Sequence, residues 1–188
     1  MTRRLHHVIA LDDAPFPPGH RGDVAVAAVV CAGGRVAGVL LTKVRRDGAN
    51  ATTALARVVR ASRHHPHLGL ILLQGIALAG FNVVDIHALA QTTGLPVLAV
   101  VRRRPDIPAV RRALLSRVPG GARKWRLVER AGPPERVEGL WVQRAGLAHA
   151  AAREAIRRLA VNGRLPEPLR LAHLVAGAVG TGESRHRP

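Results

Sequence analysis

Residues 70–106, LILLQGIALAGFNVVDIHALAQTTGLPVLAVVRRRPD, limit the possible folds more than any other stretch of this chain. Two short runs, 69–73 and 96–101, are continuously apolar, the pattern of strands buried on both faces of a sheet. Between them lie a glycine-containing turn and a helical stretch over 83–93 that stops at Gly94. A strand, a crossover helix and a second strand of this size form a right-handed parallel unit. The first of these strands ends at Gln74-Gly75, and open α/β sheets hold their chemistry at the carboxyl ends of central strands.

Three more strands precede this unit. The first covers residues 7–11 and ends at the acidic pair Asp12-Asp13; residues 24–31 and 35–44 follow, joined at Gly33-Gly34, a hairpin signal. Asn50 then stands before an amphipathic helix with Leu55, Val58 and Val59 on one face and Arg57, Arg60 and Arg63 largely opposite; Pro66 ends that segment. Beyond the parallel unit, Asp106 caps a helix running to about Val118, which Pro119-Gly120-Gly121 breaks. Residues 125–129 and 139–143 read as a small accessory β-hairpin around Gly132-Pro133-Pro134, and helices over 148–161 and 167–179 finish the chain. The expected fold is α/β: a ribonuclease H-like, mixed five-stranded sheet flanked by helices. Residues 8–11 are central in it, between the 24–44 pair and the 69–73 strand. Residues 1–183 are expected to form one domain and 184–188 a tail. In this arrangement Asp12-Asp13 and Gln74-Gly75 are neighbours.

Hydrophobic residues make up 47% of the chain, enough for a real core, while aromatic residues make up 2%, so Ala, Val and Leu must fill it. The longest apolar runs are strand-sized, far short of a membrane span, and no apolar leader region follows the basic N-terminus. Cys31 is alone, which leaves no internal disulfide. The expectation is a soluble, cytoplasmic protein without a membrane partner. The net charge of +17 is uneven, with +5 in residues 1–94 and +12 in residues 95–188. A field of this sign draws polyanions and points to DNA or RNA as a partner. The 27 Arg against 2 Lys also fit a GC-rich coding sequence, which would raise the charge without selection for binding.

Several motifs stand in order along the chain: Leu11-Asp12-Asp13, the run from Asp47 to Thr52 (DGANAT), the run from Gly75 to Asp85 (GIALAGFNVVD), Gly94-Leu95-Pro96-Val97, the run from Pro166 to His173 (PEPLRLAH), and Gly182-Glu183-Ser184-Arg185. With these the chain resembles an archaeal family of uncharacterised domains, family ninety-nine, which is related to endonuclease V. The resemblance implies a ribonuclease H-like fold and descent from a metal-dependent nuclease. Endonuclease V cuts nucleic acid near deaminated bases. Its divalent metal is held by carboxylates from the first strand, from the segment after the third strand and from the end of the fourth. Where the resemblance leads one to expect acids, this chain carries the neutral Asn50 and Gln74.

Asp12 and Asp13 are therefore candidates for catalysis and for holding Mg²⁺ or Mn²⁺, which take carboxylate oxygen. Strand alternation favours Asp12 as the one facing a site; a strand-end turn is the structural alternative. Asp47 is a further catalytic candidate, although Asp47-Gly48 is also a good turn pair. Asp85, a candidate metal ligand, and Asn82 both sit where helix starts take caps. His173 is a candidate acid or base, or else a buried, hydrogen-bonded histidine; Glu183 shares its motif. Asn50 reads as a helix cap, and the Gln74 amide as a group satisfying nearby backbone. Arg102, Arg103, Arg104 and Arg170 are candidate phosphate contacts, with a solvated charge run as the alternative. His64, His65 and His67 lack a cysteine partner and read as an exposed loop. Gly75 and Gly80 do not make a phosphate loop. These features lead to an endonuclease V-like, nucleic-acid-binding protein with weak metal binding and weak or lost catalysis. The alternatives are an active divalent-metal-dependent endonuclease on DNA or RNA, and a structural protein whose charge is genomic bias.

Overall fold

The computed structural model describes residue 5 and residues 7–184. The hairpin expected at Gly33-Gly34 joins β2 (Asp23–Ala32) to β3 (Arg35–Arg45), and β2 pairs antiparallel with β1 (His7–Asp13). On its other side β1 pairs parallel with β4 (Leu70–Leu73), from Val8 opposite Leu70 to Leu11 opposite Leu73. Before β4 come α1 (Ala51–Ala61) and a 3-10 turn at His65–His67. After it come a two-stranded flap, β5 (Ala77–Leu78) with β6 (Asn82–Val83), then α2 (Ile86–Thr93) and β7 (Val97–Val101), which is parallel to β4. The remaining elements are α3 (Ile107–Arg117), α4 (Gly121–Ala131), β8 (Glu135–Val137), β9 (Leu140–Ala145), α5 (His149–Leu159) and α6 (Glu167–Thr181). Among the described residues, no helix is long and apolar enough to cross a membrane.

The main sheet has seven strands in the order β3-β2-β1-β4-β7-β9-β8, which corrects the expected five. The central placement of β1 between the β2–β3 pair and β4 is as the sequence implied. The difference lies in the hairpin. β8 and β9 do not stand apart as an accessory; β9 pairs antiparallel with β7 from Val97 opposite Ala145 to Val101 opposite Trp141, extending the sheet. Residues 125–129, read as a strand, belong to α4. Their local composition is β-prone, but Lys124, Val128 and Ala131 recur at helical spacing and are buried together, so packing overrides local propensity.

Alternation along the central strands divides the core. Ile9, Leu11, Ile71 and Leu73 face the helical layer of α1 and α2, where Leu55, Val59, Ile86 and Leu89 meet them. Val8, Ala10, Leu70 and Leu72 face the layer of α5 and α6, with Ala152, Ile156, Leu169 and Ala172. Two residues further along β1, the same alternation sends Asp12 toward α6 and Asp13 toward the α1 side. At the far edge, β3 leaves Val36, Val39 and Leu41 roughly half exposed, at 51%, 49% and 56%.

α3 and α4 approach so closely that a Cβ on Gly121 would sit 1.8 Å from the carbonyl oxygen of Leu114, which is backbone and cannot swing aside. Gly121→Ala is expected to lower stability by about 1–3 kcal/mol through overpacking at this junction, measured by urea denaturation.

Candidate catalytic cavity and adjoining apolar pocket

At the carboxyl edge of β1 and β4, Asp12, Asp13, Gln74, His173 and Glu183 line one cavity of about 260 Å³. Asp12 is 5% exposed, and its Oδ2 lies 2.8 Å from Nδ1 of His173, which α6 carries across the sheet. A carboxylate accepts hydrogen bonds, so the contact orients the imidazole through Nδ1. Oδ1 of Asp12 accepts from the backbone N–H of Asp13, at 3.0 Å. Asp13 lines the same cavity because it is the last residue of its strand, where the opposite faces of the sheet converge on one rim. Its Oδ2 accepts from the N–H of Ala79, at 3.0 Å. Burial, reinforced by the charge of Asp12, pushes the Asp13 carboxyl up from 3.8 to about 6.

Gln74 stands one step beyond the last β1–β4 pair, beside Asp12. Its Oε1 is buried and is the one side-chain polar atom among the described residues that is buried without a hydrogen-bond partner. The expectation that this amide satisfies neighbouring backbone is therefore corrected: the oxygen is available to a ligand. Gln74 also lines a second cavity of about 250 Å³ on the other side of it, walled by Ile76, Phe81, Val101, Val128 and Trp141. One residue thus lines both a carboxylate-containing cavity and an apolar one.

Residues 4–180 match the family model for endonuclease dU. This chain belongs to the endonuclease dU family. It is 56% identical to a UPF0215 protein of Deinococcus radiodurans over 96% of this chain and 92% of that one, so the family is not confined to archaea. A crystal structure of a protein of unknown function from Archaeoglobus fulgidus superposes with a TM-score of 0.87 at 34% identity, covering 94% of this chain and 99% of that one. Ciona intestinalis endonuclease V, solved with DNA containing an inosine, shares the fold with a TM-score of 0.55 at 12% identity, covering 89% of this chain and 82% of that one.

Within this endonuclease dU family chain, the other candidate residues fall outside the shared cavity. Asp47 turns at φ 50°; its Oδ1 accepts from the N–H of Phe81 at 2.8 Å and its Oδ2 lies 3.3 Å from Arg46. Asp85 is not a cavity residue: Oδ1 caps α2 by accepting from His87 and Ala88, and Oδ2 pairs with Arg130 at 2.7 Å. Asn50 precedes α1 but does not cap it; its Oδ1 accepts from the N–H of Arg45 and from Nδ2 of Asn82. The buried Asn82 does the capping, accepting from the N–H of Ala51 at 3.0 Å. Arg170 forms a two-pronged pair with Glu167, while Arg102, Arg103 and Arg104 are exposed after β7. His65 bonds the carbonyl of Thr93 at 2.9 Å in its 3-10 turn.

Sequence reasoning missed Lys124. It is 4% exposed, and its ammonium donates to the carbonyl of Asp47 at 2.5 Å; burial holds its pKa below the usual lysine range. The available signal was its rarity, as one of two lysines beside 27 arginines. The apolar pocket was also missed, because its walls come from six separate elements and intervening loops.

The raised Asp13 carboxyl has a stability consequence. Between about pH 4 and 6 the folded chain retains a proton that the unfolded chain has lost, so stability falls as pH rises through this window. Asp13→Asn keeps an oxygen for Ala79 and removes the titration. In thermal melts with a chelator present, the melting temperature of the variant relative to the natural protein is expected to rise from pH 4 to pH 6 and level off above.

Proposed function

We propose that this chain binds single-stranded or locally opened nucleic acid, draws a deaminated base into the apolar pocket, and presents the adjoining backbone to the Asp12–His173 cavity. The observation that carries this reading is Gln74, which lines both cavities and whose side-chain oxygen is buried without a hydrogen-bond partner. Extruded bases are read by stacking between apolar and aromatic side chains and by hydrogen bonds to their edges. Phe81 and Trp141 supply the flat surfaces, and Gln74 and Gln143 are the polar residues lining the same pocket. The family description supports uracil as the base, and the structural likeness to endonuclease V supports nucleic acid as the partner. We read the arrangement of β1, β2, β3, β4 and β7 as ribonuclease H-like. Arg102, Arg103 and Arg104 are suited to backbone phosphates, whereas the guanidinium of Arg170 is occupied by Glu167.

Asp12, Asp13 and Gln74 form an oxygen donor set of the kind Mg²⁺ or Mn²⁺ takes, and the unpartnered Gln74 oxygen fits such a group. A bound divalent ion would neutralise charge on a phosphodiester. The set holds two charges, and among the described residues no three His, Cys, Asp or Glu side chains form a metal-holding group. We therefore infer weak metal binding and slow cleavage. The Asp12–His173 pair favours a second reading, an enzyme with full hydrolytic activity, because an imidazole oriented by a carboxylate is suited to general acid–base work.

Fluorescence anisotropy with single-stranded oligonucleotides should show binding that depends steeply on salt. Contacts to ~6 phosphates would weaken it on the order of a thousandfold between 50 and 200 mM. Uracil-containing strands should bind more tightly than their thymine counterparts. Calorimetric titration should show that Gln74→Glu, which restores a charge at the same length, tightens Mn²⁺ binding by roughly tenfold or more. Rapid strand cleavage by the natural protein, abolished by Asp12→Ala, would favour the second reading.

A further inference from the structure

Beside the apolar pocket lies an open groove of about 650 Å³, lined by Trp125, Arg104, Glu129 and Pro133 among others. Pro105, Ile107, Val128 and Pro134 line both, so the two spaces are consecutive chambers on one wall. The chain has two Trp, two Phe and no Tyr, and three of these four aromatic residues line the two chambers: Phe81 and Trp141 the inner, Trp125 the outer. Each indole carries a guanidinium over its ring, Arg104 over Trp141 at 5.2 Å and Arg111 over Trp125 at 5.8 Å. In a chain so poor in aromatics, this clustering places flat, polarisable surfaces next to cations, the combination used to hold unpaired strands.

We propose that this groove receives a second nucleobase, the neighbour in the same strand of the base in the apolar pocket, stacked against Trp125. The inference rests on reading the inner chamber as a base pocket. Charge decides which part of a nucleotide enters. Asp106 and Glu129 line the groove beside a single arginine, Arg104, whose guanidinium lies over Trp141; the two carboxylates would repel a phosphate, while a neutral base meets no such penalty. Arg102, Arg103 and Arg111 are exposed and do not line the groove, which leaves them to the connecting phosphates. The chain thus engages two adjacent unstacked nucleotides, which an intact duplex does not offer, and its substrate class is single-stranded or opened nucleic acid.

The test uses fluorescein-labelled DNA single strands with one central deoxyuridine, read by anisotropy at fixed low salt. In two further strands the nucleotide on one side or the other of the uracil is replaced by an abasic tetrahydrofuran. With the natural protein, one of the two abasic replacements should weaken binding about tenfold, the effect of losing one stacked base. Trp125→Ala should weaken binding of the intact strand by a similar factor and become insensitive to that replacement, while keeping the preference for uracil over thymine. Trp125→Phe, which keeps a flat ring, should recover most of the loss. Phe81→Ala, in the inner chamber, should lose the uracil preference and keep the sensitivity to the abasic neighbour. If the natural protein prefers uracil but neither abasic replacement nor Trp125→Ala changes binding, the second subsite is refuted and the inner pocket reading stands. If the natural protein binds none of the strands, both fall together.

Discussion

The parallel ladder between Val8–Leu11 and Leu70–Leu73 is the interaction on which the site depends. All eight residues are fully buried, so a slip of one residue would turn every side chain to the opposite face and break the packing of both cores. Ladder and packing together hold the register, and it fixes what lies just past its end. Asp12 follows Leu11, Gln74 follows Leu73, and both continue the face covered by α6. A histidine on that helix then meets the first of them. The juxtaposition of acid, amide and imidazole is a consequence of where a hydrophobic ladder stops.

Around this edge the other acids act as structural grips. Asp13 holds the N–H of Ala79, and the backbone N–H of Asp47 bonds the carbonyl of the same residue at 2.9 Å. Ala79 has φ 46° and Asp47 φ 50°, conformations that non-glycine residues adopt at a cost of about 1–3 kcal/mol each. The carboxylate of Asp47 also leans on Gly80, where an added Cβ would lie 2.5 Å from Oδ1. Lys124 closes the assembly from α4 through the carbonyl of Asp47. The turn between β5 and β6 is therefore tied to β1, to the β3–α1 connection and to α4 at once. This turn carries Phe81 into the wall of the apolar pocket, so the same bonds that hold strain also hold one wall of that pocket.

The central part of the fold was legible in the sequence because its signals are local. Continuous apolar runs marked β4 and β7, Gly33-Gly34 marked the hairpin, and Asp106 marked the start of α3, where its Oδ1 accepts from Ala109. The outer part was not. The Trp125 segment satisfies strand propensity over five residues and helical burial only over eleven, so the longer pattern decides the outcome. Asp12 was singled out by its position at a strand end, but its bond to His173 joins residues 161 apart in sequence, and no spacing rule reports such a pair. Asn82 caps α1 in place of Asn50 for a similar reason. The residue next to a helix is the obvious cap in one dimension, whereas a residue from β6 reaches the same N–H in three.

The edge strand β3 carries one more consequence. Its outer side offers unpaired backbone and the half-exposed Val36, Val39 and Leu41, a surface on which a second extended chain could grow. Arg35, Lys43 and Arg45 stand exposed along the same strand. In dilute buffer, their repulsion toward an identical edge works against stacking of copies, with the rest of the +17 charge behind it. Concentrated salt screens that repulsion and removes the protection. High ionic strength is thus the condition in which its sheets are most able to find each other.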